Sequence, residues 1–207
     1  LYLLSELIES QQIKPLPIFL DSPMAREATA AYRTYVREHD SEMLALAGDG
    51  VDRLSPPGLQ ITGRVDESKR LNGIAGPAII ISASGMATGG RILHHLRHRL
   101  PDPANTILFV GYQAAGTRGR KLLDGCETIK IFGEEVPVAA QIRSISSLSA
   151  HADADELQIW ASQAEITPRT VFVTHGEPDA SRALADRFAA RFGWDCVVPR
   201  LGETVTL

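Results

Sequence analysis

An α/β protein with parallel strands is what this sequence predicts, and three observations lead there. Short apolar runs at residues 77–82 and 106–112 are continuous, the character of strands covered on both faces. Stretches with helical periodicity separate them. No internal repeat, low-complexity tract or heptad array breaks that alternation.

Residues 1–12 read as a helix because Leu1, Leu4, Leu7 and Ile8 share one stripe, and the pattern stops ahead of Pro15 and Pro17. Pro17-Ile18-Phe19-Leu20-Asp21 is then a short buried strand. Ser22-Pro23 supplies an N-cap and a proline at the first helical position, opening a helix to about His39. Asp21 reads more readily as a cap or turn residue than as a rim carboxylate. Residues 40–59 are mixed, with a loop at Pro56-Pro57-Gly58. A strand over 59–65, a short helix over 66–72 closed by Gly73, and the apolar strand 77–82 follow.

Ser84-Gly85-Met86-Ala87-Thr88-Gly89-Gly90-Arg91 is a small-residue turn ahead of a helix over 92–100. Backbone N–H groups in such a turn can approach a phosphate, which makes Ser84, Gly89, Gly90 and Arg91 phosphate-binding candidates; close packing at a tight turn explains the glycines equally well. The turn lacks the Gly-Lys-Ser/Thr of a nucleoside triphosphate loop and is no GxGxxG fingerprint, which disfavours nucleotide cofactors. His94, His95 and His98 on the following helix fit a solvated basic face or an RNA-facing contact better than a metal site, since HExxH is absent.

The strand 106–112 is followed by a helix with Thr117 as N-cap and Arg118, Arg120 and Lys121 in its first turn, a plausible grip on a phosphodiester backbone. Residues 128–138 suggest a hairpin. Two further strands, 141–148 and 170–174, end near His151 and His175, and the helix between them carries acidic residues in its first turn. A strand, helix, parallel strand unit would bring both histidines to one rim. A helix over 178–192 and short strands over 195–199 and 203–207 complete the chain.

A net charge of −4 over 207 residues argues against wholesale nonspecific binding to nucleic acid, although Arg91, Arg97, Arg99, Arg118, Arg120 and Lys121 can line a local groove. Cys126 and Cys196 have no CxxC spacing and indicate neither a zinc knuckle nor a disulfide framework. No run of 18 apolar residues and no leader pattern occurs, so no membrane association and a cytoplasmic location are expected. The chain begins at Leu1, within an apparent amphipathic helix, and is expected to be a fragment of a longer product.

Leu148-Ser149-Ala150-His151-Ala152-Asp153 resembles motif B, and Val173-Thr174-His175-Gly176-Glu177 motif C, of the β-CASP branch of the metallo-β-lactamase superfamily, the RNA-processing zinc nucleases. Asp21-Ser22-Pro23-Met24-Ala25, residues 81–91 and residues 109–117 resemble the same family in order and spacing. The resemblance implies a cap domain over 15–136, a preceding helix over 1–14 leading out of a missing lactamase part, and the C-terminal portion of an αββα metallo-β-lactamase domain, its RNA-specificity segment, over 137–207. It further implies zinc-dependent hydrolysis of RNA in maturation or decay, with two zinc ions per complete enzyme. His175 would be a zinc ligand and His151 a general acid at the scissile phosphate. Ser149 and Ser147 would bond phosphate, with Arg118 among the RNA contacts, while Asp153 or Glu177 would orient imidazoles or simply cap helices. The His-x-His-x-Asp-His segment that such enzymes need is absent, and no two histidines have HxH spacing. The chain alone is therefore expected to be inactive and not to bind zinc tightly, with RNA, the missing N-terminal lactamase portion and a possible second copy as partners. A non-catalytic RNA-binding scaffold of the same fold is the alternative.

Overall fold

Strand β1 (Ile18–Asp21) has no solvent face, because it is the middle strand of a three-stranded parallel sheet. On one side lies β2 (Leu59–Ile61), with Ile18 opposite Leu59, and on the other β3 (Ile79–Ser82), with Asp21 opposite Ser82. The computed structural model describes residues 1–47, 52–148 and 151–205, without the side chains of Leu46 and Ala47. It divides into two units, Leu1–Ile145 and Ser146–Leu207.

In the first unit, α1 (Tyr2–Glu9) buries Ser5 and Ile8, and Ser5 Oγ donates to the Arg53 carbonyl at 2.9 Å. The helix α2 (Pro23–Thr34) opens as its sequence predicts: the Ser22 hydroxyl accepts from the Ala25 N–H at 3.2 Å and Pro23 occupies the first helical position. It stops at Thr34 rather than near His39. Thr34 bonds back to the Ala30 carbonyl, Tyr35 leaves the helical basin at φ −102°, and Val36–Glu38 forms one 3-10 turn. Within residues 40–59 a further helix forms, α3 (Ser41–Ala47), started by the Asp40 carboxylate accepting from the Met43 N–H at 2.8 Å. The strand expected over 59–65 ends at Ile61. Glu67, in the first turn of α4 (Val65–Arg70), accepts from the N–H groups of Gly63 and Arg64 and turns the chain before the sheet can continue.

Helix α5 (Ile92–Arg99) turns Leu93 and Leu96, with Leu100 just beyond it, into the main core. There they meet Phe109 of β4 (Thr106–Val110), Leu122 of α6 (Arg118–Leu123), Ile129 and Ile131 of β5 (Thr128–Ile131), and Val136 of β6 (Glu134–Pro137). The antiparallel β5–β6 hairpin turns at Phe132 and Gly133, both at positive φ, as the favoured two-residue hairpin turn requires. Strand β4 pairs in parallel with β7 (Gln141–Ile145). The continuous run 106–112 is not buried on both faces: Phe109 packs inward, while Leu108, Val110 and Tyr112 are about half exposed, because only one face of this two-stranded sheet meets the core.

The second unit contains α7 (Ala154–Ala161), β8 (Val171–Phe172), α8 (Pro178–Phe192) and β9 (Cys196–Val197). Helix α8 is the crossover between parallel β8 and β9, and Gly193 at φ 68° closes it in the left-handed conformation. Phe188, Phe192 and Trp194 pack ring against ring at this end. The strand expected over 170–174 is thus shorter. Its parallel partner is β9, and in the first unit β7 pairs with β4. Residues 203–205 form no strand, and the end of that expected strand, 206–207, lies outside the described residues.

Candidate functional site

The carboxyl end of β1 delivers Asp21, fully buried, into a ring of donors drawn from three other segments. Its Oδ2 accepts from Ser68 Oγ at 2.6 Å and lies 2.6 Å from His95 Nε2. Its Oδ1 accepts from Arg91 Nη1 at 2.7 Å and from Thr62 Oγ1. Burial alone would raise the carboxyl pKa, but the hydrogen bonds from Ser68, Thr62, His95 and Arg91 outweigh it and hold the group at about 2. An ionised carboxylate only accepts, so His95 donates through Nε2, and its buried Nδ1 has no hydrogen-bond partner among the described residues.

Three sequence expectations are corrected here. Asp21 is not the cap, a role Ser22 fills, but the hub of a buried polar network. His95 does not belong to a solvated face; it is 4% exposed, while His94 and His98 face outward. Arg91 is drawn inward, its guanidinium also reaching the Thr62 and Gly63 carbonyls. One signal was available. On the helical wheel of 92–100, His95 falls beside Ile92, Leu96 and Arg99, at the margin of the apolar arc.

Arg91 anchors the Gly-rich turn, which is folded on itself. Ser84 Oγ accepts from the Thr88 and Gly89 N–H groups at 3.1 and 3.4 Å. Gly90 sits at φ 81°, and a Cβ there would lie 2.6 Å from the Ala83 carbonyl oxygen, so only glycine fits. Ser84, Gly89, Gly90 and Arg91 line a cavity of about 360 Å³ together with Ser22, Pro23 and Met24. Two motifs far apart in sequence thereby meet at one opening. Arg118 is not among its lining; it borders a second cavity, on the Thr88 side of the turn.

In the second unit His151 lies exposed just ahead of α7, and Ser149 lies outside the described residues. Asp153 is the N-cap of that helix: its carboxylate accepts from the Asp155 and Glu156 N–H groups, and the Glu156 carboxylate accepts from the Asp153 N–H. His175 is exposed immediately beyond β8, at φ 64°. Left-handed backbone is uncommon for a residue with a side chain, although histidine tolerates it better than most, and such strain concentrates where function fixes the chain. Glu177 holds the N-cap position of α8. Among the described residues no three His, Cys, Asp or Glu side chains converge as metal ligands. Zinc sites use three or four protein ligands, so these donors do not by themselves fit the ion.

A parallel α/β unit whose strand-end aspartate clamps a Gly-rich turn is followed along the chain by a small α/β unit with two exposed loop histidines. The chain belongs to the Beta-Casp family: the Beta-Casp domain model matches residues 1–122, and that of the Zn-dependent metallo-hydrolase RNA specificity domain matches residues 135–199. It is 41% identical to "Ribonuclease TTHA0252" of Thermus thermophilus over 91% of this chain and 43% of that protein. It is 35% identical to "Transcription termination factor FttA" of Pyrococcus abyssi over 92% of this chain and 30% of that protein, and 32% identical to an "RNase J-like protein" of Methanocaldococcus jannaschii over 89% and 41%. The chain thus spans less than half the length of each of these relatives. No helix among the described residues is long and apolar enough to cross a membrane.

Proposed function

We propose that this chain is the RNA-handling part of a zinc-dependent ribonuclease that hydrolyses phosphodiester bonds in RNA maturation or decay. The observation that carries this reading is the succession of a Beta-Casp domain and a Zn-dependent metallo-hydrolase RNA specificity domain along one chain. In this reading residues 15–136 are the cap that holds the RNA strand and residues 137–207 return to the catalytic domain. Because the described donors do not make a zinc site, the remaining ligands and a second zinc ion are assigned to sequence beyond this chain, with His175 as this chain's one contribution. His151 donates the proton to the departing ribose oxygen, a role an imidazole suits near neutral pH. Ser84, Gly89, Gly90 and Ser149 present donors to RNA phosphates. Arg91 holds the turn in place through Asp21.

The test uses the protein extended by the coding sequence that precedes Leu1 in its gene. His175→Ala should lose bound zinc together with RNA cleavage, and His151→Ala should keep the metal while cleavage falls by roughly 100-fold or more. Full cleavage by either variant overturns these roles. RNA binding without any cleavage by the extended protein points to a scaffold instead of a nuclease.

A further inference from the structure

On the other side of the Gly-rich turn lies a cavity of about 400 Å³ whose lining differs in kind from the first. It contains the cations Arg118, Lys121 and Lys130, the hydroxyl residues Thr88, Thr117 and Thr128, and a single carboxylate, Glu135. Three positive groups against one negative leave a cationic depression in a chain whose net charge is −4. Arg118 braces it: its Nε donates to the Lys130 carbonyl at 2.8 Å and its Nη1 reaches the Thr88 carbonyl at 3.4 Å. The ammonium groups of Lys121 and Lys130 enter no ion pair among the described residues. A pocket of this size suits a small ligand, and this charge suits a phosphate.

The hairpin that supplies Lys130 also supplies an aromatic surface. Phe132, two residues on, is 50% exposed and sits at φ 52°. Its ring stacks on His94 with centroids 4.6 Å apart and planes 32° apart. Arg97 clips the same hairpin to α5 through Glu134 at 2.7 Å. The hairpin turn sets this backbone conformation and leaves the ring half exposed, outside the core. Phe132 stands on the turn of the same hairpin, two residues beyond Lys130 in sequence. Cations that track a backbone, set beside an aromatic face on which a base can stack, are the two elements of single-stranded nucleic-acid sites.

We infer that the cavity of Lys121 and Lys130 and the neighbouring Phe132–His94 face bind one nucleotide step of single-stranded RNA, the phosphate in the cavity and the base on Phe132. This rests on the proposed RNA-handling function and assigns where the strand runs: over the Thr88 side of the turn, beyond the Ser84 and Gly90 cavity.

The experiment measures fluorescence anisotropy of a labelled single-stranded oligoribonucleotide titrated with the 207-residue chain over a series of salt concentrations. The doubly substituted Lys121→Ala/Lys130→Ala chain should bind roughly tenfold more weakly at low salt, and its slope of log affinity against log salt should be shallower by about 1.4, near 0.7 for each lost phosphate contact. Phe132→Ala should weaken binding about fivefold with the slope unchanged, because stacking is not ionic. Lys130→Glu is the second variant at an exposed position and should weaken binding further than Lys130→Ala. If the parent chain binds the RNA and all variants bind equally well, the cavity assignment fails while the RNA reading stands. If the parent chain does not bind RNA at all, both fall. Displacement of the RNA by inorganic phosphate at constant ionic strength, or by polyglutamate as readily as by unlabelled RNA, overturns the assignment in favour of a free-anion or acidic-protein site.

Discussion

The two units treat their polar residues in opposite ways. In Leu1–Ile145 the chemistry-bearing aspartate is sealed inside and surrounded by four donors from its own unit; in Ser146–Leu207 the two histidines stand exposed at the ends of short elements. A buried charge is tolerated only when its partners are all present. The first unit supplies them itself, so its polar site is part of its fold. The two histidines of the second unit are instead exposed, outside any buried polar network.

Substitution turns that contrast into numbers. Asp21→Asn should have the largest effect, about 3 kcal/mol or more in chemical denaturation, since it leaves the Arg91 guanidinium without its counter-charge in a largely buried setting. The same carboxylate makes the fold acid-sensitive. Its folded pKa of about 2 lies below the ordinary 3.8, so its contribution is complete above pH 3.8 and is lost as pH falls toward 2. Equilibrium unfolding across that window should show a stability loss that Asp21→Asn abolishes. Next in size is Gly90→Ala, expected to cost about 2 kcal/mol because the new methyl meets the Ala83 carbonyl in a left-handed conformation. At the small end, His151→Ala and His175→Ala should each change stability by less than ~0.5 kcal/mol, in keeping with exposed positions that carry no core packing. A loss of several kcal/mol at either histidine would erase the contrast between the units.

Where local rules suffice, the sequence is legible. Ser22-Pro23 opens its helix, Thr117 caps its own, Gly193 ends α8, and the runs 17–21 and 77–82 pair as parallel strands. Legibility fails where a long-range partner decides. Nothing local in 141–148 or 170–174 names the partners they take, β4 for β7 and β9 for β8. The Asp21 network is the sharper case. Aspartate next to a Ser-Pro cap reads as punctuation, and nothing local reveals that Thr62, Ser68, Arg91 and His95 converge on it from 41 to 74 residues away. The Gly-rich turn is legible as a turn, but its two differently lined sides become visible only once α6 and the β5–β6 hairpin are in place.

The long reach of Asp21 has a kinetic consequence. Joining groups separated by 41, 47, 70 and 74 residues requires large loops to close first, so the cluster is expected to be completed late, an order that φ-value analysis at Asp21 checks. An interaction absent from the transition state acts on the reverse rate. Asp21 is therefore a latch on lifetime: weakening it shortens how long a folded molecule persists while leaving the speed of refolding nearly untouched.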